Sequence, residues 1–136
     1  MNEAWESKTM DKKKKILVVE DEQDVLTYLT TLFEDNGYDT VSAINGGEAF
    51  EKARTEKPDL ISLDIAMPDQ SGLRTYRNYK KDDKLKGIPV IIITALGDSV
   101  KSFIKRLGGF PEPEGFMAKP IDKEKLLKIV ADLLSE

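Results

Sequence analysis

Short apolar runs alternate along the chain with segments in which apolar residues recur at helical spacing. The first run, Ile16–Val19, is continuous rather than alternating, which is typical of a strand buried on both faces of a parallel sheet. Further runs predict four more strands, and the most apolar of them reads IPVIIIT. The predicted strands lie at residues 16–19, 38–43, 60–64, 88–94 and 116–118.

A helix is predicted after each strand, because the apolar residues there fall on one helical face. Gly37 is expected to end the first helix, Asn45-Gly46-Gly47 to begin the second, and Asp122 to be the N-cap of the last. The third helix is placed at about residues 71–81. The inward positions of the others are Val25, Leu26, Leu29, Leu32 and Phe33; Ala49, Phe50 and Ala53; Val100, Phe103, Ile104 and Leu107; and Leu126, Leu127, Val130, Leu133 and Leu134.

This regular alternation predicts one α/β domain with a doubly wound, five-stranded parallel sheet and five helices, joined by right-handed crossovers. No repeat, linker or second domain is evident. Residues 1–14 are polar, lack periodicity and lead into Lys12–Lys15, so we expect a flexible N-terminal tail before a domain at residues 15–136. Trp5, in this tail, either packs back on the domain or is exposed.

Composition narrows the chemistry that the domain can perform. The 136 residues include no cysteine and no histidine, which excludes disulfides, thiolate chemistry and the commonest general base and zinc ligand. A net charge of −4 argues against direct nucleic-acid binding. The apolar runs are too short to span a bilayer, and residues 1–10 lack the apolar core of a signal peptide. We therefore expect a cytoplasmic protein without membrane contact.

Polar side chains follow four of the predicted strands at their carboxyl ends. They are Glu20 and Asp21, Asp64, Thr94, and Lys119. Each alone has an ordinary explanation as a helix cap, a loop hydroxyl or a solvated lysine. The carboxyl ends of parallel strands share one edge of the sheet, where α/β proteins bind ligands. The set therefore predicts one site of three acids, a hydroxyl and a lysine.

Three clustered carboxylates repel one another, and one lysine does not balance them. Oxygen-only ligands suit a hard divalent cation, so we expect Mg²⁺, with Mn²⁺ as a substitute. A carboxylate beside Mg²⁺, a lysine and a hydroxyl is equipped to attack phosphorus and become an acyl phosphate.

With these residues, the chain resembles the receiver domains of two-component response regulators, including the chemotaxis regulators. The matching motifs are ILVVEDE at Ile16–Glu22, PDLISLDIAMP at Pro58–Pro68, PVIIITA at Pro89–Ala95, and Lys119-Pro120. The resemblance covers about residues 15–136 and implies a flavodoxin-like fold with strand order 2-1-3-4-5.

The resemblance also implies roles for individual residues. Asp64 would be the phospho-acceptor. Asp21 and Asp64 would bind Mg²⁺ directly, Glu20 would assist through water, and the backbone carbonyl of Ala66 would complete the protein ligands. Thr94 would be the switch hydroxyl that moves to the phosphoryl group.

Two further roles follow from the same resemblance. Lys119 would contact a phosphoryl oxygen, and the peptide bond before Pro120 would be cis. Phe116 occupies the position of the switch aromatic, although a partly buried strand residue is equally compatible with the sequence. Phosphorylation would then alter the face formed by the fourth helix, fifth strand and fifth helix.

The implied partners are proteins. A histidine kinase or histidine phosphotransfer protein would donate the phosphoryl group in trans, because the chain has no histidine of its own. The output would be contact with a downstream protein, with homodimerisation on phosphorylation as a further expectation. Any catalysis would be limited to Mg²⁺-dependent phosphorylation and dephosphorylation of the chain itself. The sequence fits a stand-alone regulator or a receiver from a longer chain.

One segment departs from the family pattern. Gly108–Gly115 reads GGFPEPEG and makes the span from Thr94 to Lys119 longer than is usual for the family. It is either a partner-specific contact or a tolerated surface insertion.

Three other readings compete with this interpretation. A receiver-like interaction module that is never phosphorylated would not need the acids, the hydroxyl and the lysine. A flavin-binding protein of the same fold needs a loop of hydroxyls and glycines where Glu20-Asp21-Glu22 stands. An aspartate-based phosphatase needs a second acid where Ala66 stands.

Overall fold

The computed structural model describes residues 13–65, 71–95, 102 and 111–135. Its strands are β1 (Lys15–Val19), β2 (Asp39–Ala43), β3 (Leu60–Leu63), β4 (Val90–Thr94) and β5 (Gly115–Ala118). Its helices are α1 (Gln23–Asp35), α2 (Gly46–Glu56), α3 (Ser71–Lys81) and α4 (Lys123–Leu134).

The five strands form one parallel sheet in the order β2-β1-β3-β4-β5, which confirms the predicted fold and strand order. The central strands are in register at their carboxyl ends, where Val19 pairs with Leu63. Thr94 at the end of β4 pairs with Ala118 at the end of the neighbouring strand β5. The residues that follow these strands therefore meet at one edge.

The continuous apolar strands are explained by two cores, one on each face of the sheet. Leu17 and Val19 of β1 point to the side that α2 and α3 cover. Ile16 and Val18 point to the side that α1 and α4 cover. Both faces of β1 are thus buried, as its unbroken run of apolar residues predicts.

Local signals begin and end the helices much as predicted. The Asn45 side chain accepts a hydrogen bond from Glu48 N at 2.8 Å, and Asp122 accepts one from Lys125 N at 3.2 Å. Gly37 follows α1 with φ of 94°, a conformation that favours glycine. Lys57 ends α2 in the left-handed region with φ of 51°.

Five strand boundaries differ from the prediction by one or two residues. β1 begins at Lys15 rather than Ile16, and β5 begins at Gly115 rather than Phe116. β2 begins at Asp39 rather than Tyr38, because Tyr38 N donates to Phe33 O at 3.1 Å and closes the end of α1. β4 begins at Val90 rather than Ile88, because Ile88 N donates to Leu85 O in the preceding turn. β3 ends at Leu63, which leaves Asp64 just beyond the strand.

Some predictions lie outside the described residues. They include the first twelve residues of the tail and the stripe predicted for the fourth helix, at Val100, Phe103, Ile104 and Leu107. Four helices are described where five were predicted. Within the described segments, no helix is both long enough and apolar enough to cross a membrane.

Candidate functional site

Three carboxylates meet at the carboxyl edge of the sheet. Glu20 follows β1 and Asp64 follows β3, and both are buried, with 1% and 4% of their surface exposed. Asp21 is exposed beside them, and one carboxylate oxygen from each of the three lies within 4.8 Å of the others. The donors are all oxygens, so the set fits a hard divalent ion such as Mg²⁺.

Lys119 enters this cluster from the end of β5. Its Nζ lies 3.1 Å from Glu20 Oε1, 3.2 Å from Asp64 Oδ2 and 3.4 Å from Glu22 Oε1. The lysine side chain is largely buried, with 14% of its surface exposed. One ammonium group therefore faces several carboxylates, and the cluster retains negative charge.

The electrostatics of the site reflect this imbalance. Burial, and then the charge of Asp64, raise the pKa of Glu20 from 4.5 to about 7, against the opposing effects of Lys119 and of the Glu22 N–H. Burial lowers the pKa of Lys119, but its hydrogen bond to Glu20 and the attraction of Asp64 outweigh that effect, so the pKa is raised overall. The site thus favours added positive charge over a full set of ionised acids.

Backbone hydrogen bonds across the sheet hold these residues in place. Glu20 N donates to Ala43 O at 3.0 Å, and Asp64 N donates to Val19 O at 3.1 Å. Lys119 N donates to Thr94 O at 2.9 Å, which ties the ends of β4 and β5 together. The acids and the lysine therefore sit on rigid strand ends rather than on free loops.

The capping explanation for the first two acids does not hold. The N-cap residue of α1 is Glu22, and its side chain makes no capping hydrogen bond. Glu20 instead accepts a hydrogen bond from Glu22 N at 3.2 Å and binds Lys119. Its carboxylate is directed into the cluster.

The remaining predicted residues are placed as follows. Thr94 is fully buried at the end of β4, and Phe116 is partly buried on β5 against the core that α2 and α3 cover. The Lys119-Pro120 peptide bond is cis, as expected. Ala66, predicted to offer its backbone carbonyl, lies outside the described residues.

Two features of this structure were not identified from the sequence. The first is the contact of Glu22 with Lys119, although Glu22 belongs to the acidic run after β1. The second is an ion pair at the other edge of the sheet, where the buried Lys80 Nζ lies 3.2 Å from both carboxylate oxygens of Glu114, whose side chain is 37% exposed.

The described part of the Gly108–Gly115 segment is anchored to the domain. The Tyr76 hydroxyl donates to Pro111 O, and Glu114 accepts from Val90 N at 2.8 Å. At Gly115 a Cβ atom would lie 2.9 Å from Ile91 Cγ1 and 3.0 Å from Ile129 Cγ2, so glycine allows β5 to pack closely. Residues 111–115 are therefore held by contacts with the rest of the domain. Neither the partner-specific contact nor the tolerated surface insertion predicted these contacts.

Comparison with known proteins agrees with this geometry. The profile described as "Response regulator receiver domain" matches residues 16–131. The PilH protein of Pseudomonas aeruginosa is 36% identical over 122 residues, which cover 89% of this chain and 98% of PilH. The crystal structure of the chemotaxis response regulator CheY4 of Vibrio cholerae superposes with a TM-score of 0.77 at 27% identity, covering 90% of this chain and 99% of CheY4. A CheX–CheY–BeF3–Mg²⁺ complex from Borrelia burgdorferi gives a TM-score of 0.77 at 28% identity, covering 90% of each chain.

Proposed function

Because this chain belongs to the response regulator receiver domain family, we propose that Asp64 is the residue that accepts the phosphoryl group. The chain is a receiver domain of two-component signalling, and receiver domains interact with histidine kinases and with downstream targets. The observation that carries the assignment is the position of Asp64 Oδ2, 3.2 Å from Lys119 Nζ and within the carboxylate cluster.

In the proposed reaction, an Asp64 carboxylate oxygen attacks the phosphorus of a phosphohistidine on the donor protein. An O–P bond forms as the N–P bond breaks, and the imidazole nitrogen keeps the electron pair of the broken bond. Lys119 balances charge on a phosphoryl oxygen, because its ammonium is held beside Asp64 by Glu20 and by backbone bonding to Thr94. The rigid strand ends hold the nucleophile in position for in-line attack.

The acidic cluster supplies the ligands for a metal ion. Asp21, Asp64 and the Ala66 carbonyl are assigned as direct ligands, and Glu20 as a ligand through water. A bound Mg²⁺, or Mn²⁺ in its place, would neutralise charge on the transferring phosphoryl oxygens. The structural neighbour from Borrelia burgdorferi, a complex with BeF3 and Mg²⁺, supports this assignment.

Thr94 and Phe116 are assigned to the switch. The Thr94 carbonyl accepts a hydrogen bond from Lys119 N at 2.9 Å, which supports the assignment of the Thr94 hydroxyl as a donor to a phosphoryl oxygen. Phe116 lies two register pairs from Thr94 on the same two strands and is only partly buried, which supports its assignment as the side chain that changes rotamer. The changed surface would bind a downstream protein in the cytoplasm or a second copy of the chain.

The test is phosphoryl uptake from acetyl phosphate with Mg²⁺, followed by intact-protein mass spectrometry. The wild-type chain should gain one phosphoryl group, and Asp64→Asn should gain none. Asp59→Asn is the matched control, because Asp59 lies just before the amino end of the same strand, away from the site. Equal uptake by Asp64→Asn would refute the assignment.

The alternative of a receiver-like module that is never phosphorylated is less favoured. Such a module gains nothing from two buried acids and a largely buried lysine that leave an unbalanced charge.

A further inference from the structure

A cavity of about 540 Å³ lies at the opposite edge of the sheet from Asp64. Pro58, just before β3, and Ile88, just before β4, line it together with Leu85. Ala53 of α2 completes its apolar floor. The cavity is large enough for a bulky side chain, and nothing in the proposed phosphoryl transfer uses it.

The rim of this cavity is positively charged. Arg54, Lys57 and Lys84 line it, and all three are exposed. Among the described residues, none of the three forms an ion pair; Arg54 lies over the Phe50 ring, with its guanidinium carbon 5.8 Å from the ring centroid. The whole chain carries a net charge of −4, so this patch opposes the overall sign. An apolar floor with a cationic rim suits a hydrophobic side chain flanked by acids.

We propose that residues 1–7 of this chain dock in the cavity, with Trp5 on the apolar floor and Glu3 and Glu6 facing the cationic rim. These seven residues, MNEAWES, hold two glutamates and no lysine or arginine. Trp5 is the only tryptophan of the chain. A tryptophan of this kind buries about 150–250 Å² when it packs.

The entry point of the described chain lies beside the cavity. Lys13 and Lys57 both line a neighbouring cavity of about 300 Å³, and Lys57 also belongs to the cationic rim. Lys15 N donates to Asp59 Oδ2 at 2.8 Å, next to Pro58 on the floor. The eight residue steps from Trp5 to Lys13 span up to about 26 Å when extended, which is sufficient for Trp5 to return to the cavity.

The single tryptophan makes the proposal directly measurable by fluorescence of the full chain. We expect a blue-shifted Trp5 emission and weak quenching by acrylamide in the wild type. Charge reversal in Arg54→Glu/Lys84→Glu should shift the emission to the red, because the rim would then repel Glu3 and Glu6. We expect the quenching constant to rise about twofold, since each exposed ion pair contributes only modestly to docking. Lys123→Glu/Lys128→Glu on α4 is the matched control, and it should leave both readouts unchanged. Adding Glu3→Lys/Glu6→Lys to the first variant should restore the wild-type signal.

Three outcomes would overturn the proposal. One is a fully exposed Trp5 in the wild type, and another is a buried Trp5 that ignores charge reversal at the rim. The third is burial that increases with protein concentration, which would assign the cavity to the N-terminal segment of a second copy. Circular dichroism of each variant separates loss of docking from loss of folding.

Discussion

Lys80, which is buried, and Lys119, which is largely buried, lie at opposite edges of the same sheet, and their surroundings differ in charge balance. At the carboxyl edge, Lys119 faces the carboxylates of Glu20, Glu22 and Asp64. At the amino edge, Lys80 faces the carboxylate of Glu114, its one acidic partner among the residues that the structure describes. The first cluster has more negative charge than its lysine can balance, whereas the second is matched one to one.

The two clusters also differ in how completely their polar groups are satisfied. Glu114 bonds both Lys80 and Val90 N, and Lys80 Nζ lies 3.5 Å from Ile88 O and 5.8 Å from the centroid of the Tyr76 ring. This pair joins α3 to the starts of β4 and β5, and its ammonium and carboxylate charges balance each other. We interpret the balanced cluster as structural and the unbalanced one as chemical.

The largest effect on stability is expected from Glu114→Ala. The substitution leaves the Lys80 ammonium, whose side chain is 2% exposed, without its carboxylate and leaves Val90 N without its acceptor. We expect a loss of about 2–4 kcal/mol in urea unfolding, with phosphoryl uptake retained by the folded protein. Glu112→Ala, an exposed acid in the same segment, should change the unfolding free energy by less than about 0.5 kcal/mol. Equal losses from the two variants would refute a structural role for the pair.

The pH dependence of the metal-free protein should come next in size. The folded protein raises the pKa of Glu20 from 4.5 to about 7, so it binds this proton more tightly than the unfolded chain does. The stability linked to Glu20 is therefore complete below about pH 4.5 and declines as pH rises to about 7. Across that window we expect wild type to lose about 2 kcal/mol more than Glu20→Gln, measured by urea unfolding in EDTA. Parallel pH profiles for the two proteins would contradict the raised pKa.

A smaller loss is expected for Lys80→Met than for Glu114→Ala. Methionine keeps the apolar stem, and the carboxylate of Glu114, 37% exposed, can be solvated after the ammonium is removed. We expect about 1 kcal/mol in the same unfolding assay, again without loss of phosphoryl uptake. If Lys80→Met lost more unfolding free energy than Glu114→Ala, the cost of leaving the buried ammonium unpaired would not be the main effect, which would contradict this explanation.

The smallest change in metal-free stability, with the opposite sign, is expected for Asp21→Asn. Asp21 is exposed and adds charge to an already negative cluster, so its neutralisation should stabilise the metal-free protein by about 0.5 kcal/mol. The rise in melting temperature that Mg²⁺ gives the wild type should disappear in this variant. Asp24→Asn, in the first turn of α1, is the matched control and should keep the response to Mg²⁺. A full response to Mg²⁺ in Asp21→Asn would remove Asp21 from the ligand set.

The sequence was informative where hydrophobic pattern and topology decide the outcome. The unbroken apolar runs predicted a parallel sheet, and a parallel sheet places Glu20, Asp64 and Lys119 at one edge even though they are far apart in the chain. Strand boundaries were less accurate, because they depend on where single N–H groups bond, as the bond from Tyr38 N to Phe33 O shows.

The Lys80–Glu114 pair could not be predicted in the same way. Lys80 lies near the end of a charged helix, and a lysine there is normally solvated. Its burial depends on the path of the inserted segment, and no periodicity in GGFPEPEG describes that path. The pairing is set by tertiary packing between residues 34 positions apart.

The most direct test of the account is to locate the phosphoryl group on the chain. After incubation with acetyl phosphate, borohydride reduction converts an aspartyl phosphate to homoserine, which tandem mass spectrometry assigns to one residue. We expect homoserine at position 64 in Mg²⁺ and none there in EDTA. Homoserine at another aspartate, or equal labelling of position 64 in Mg²⁺ and in EDTA, would contradict it.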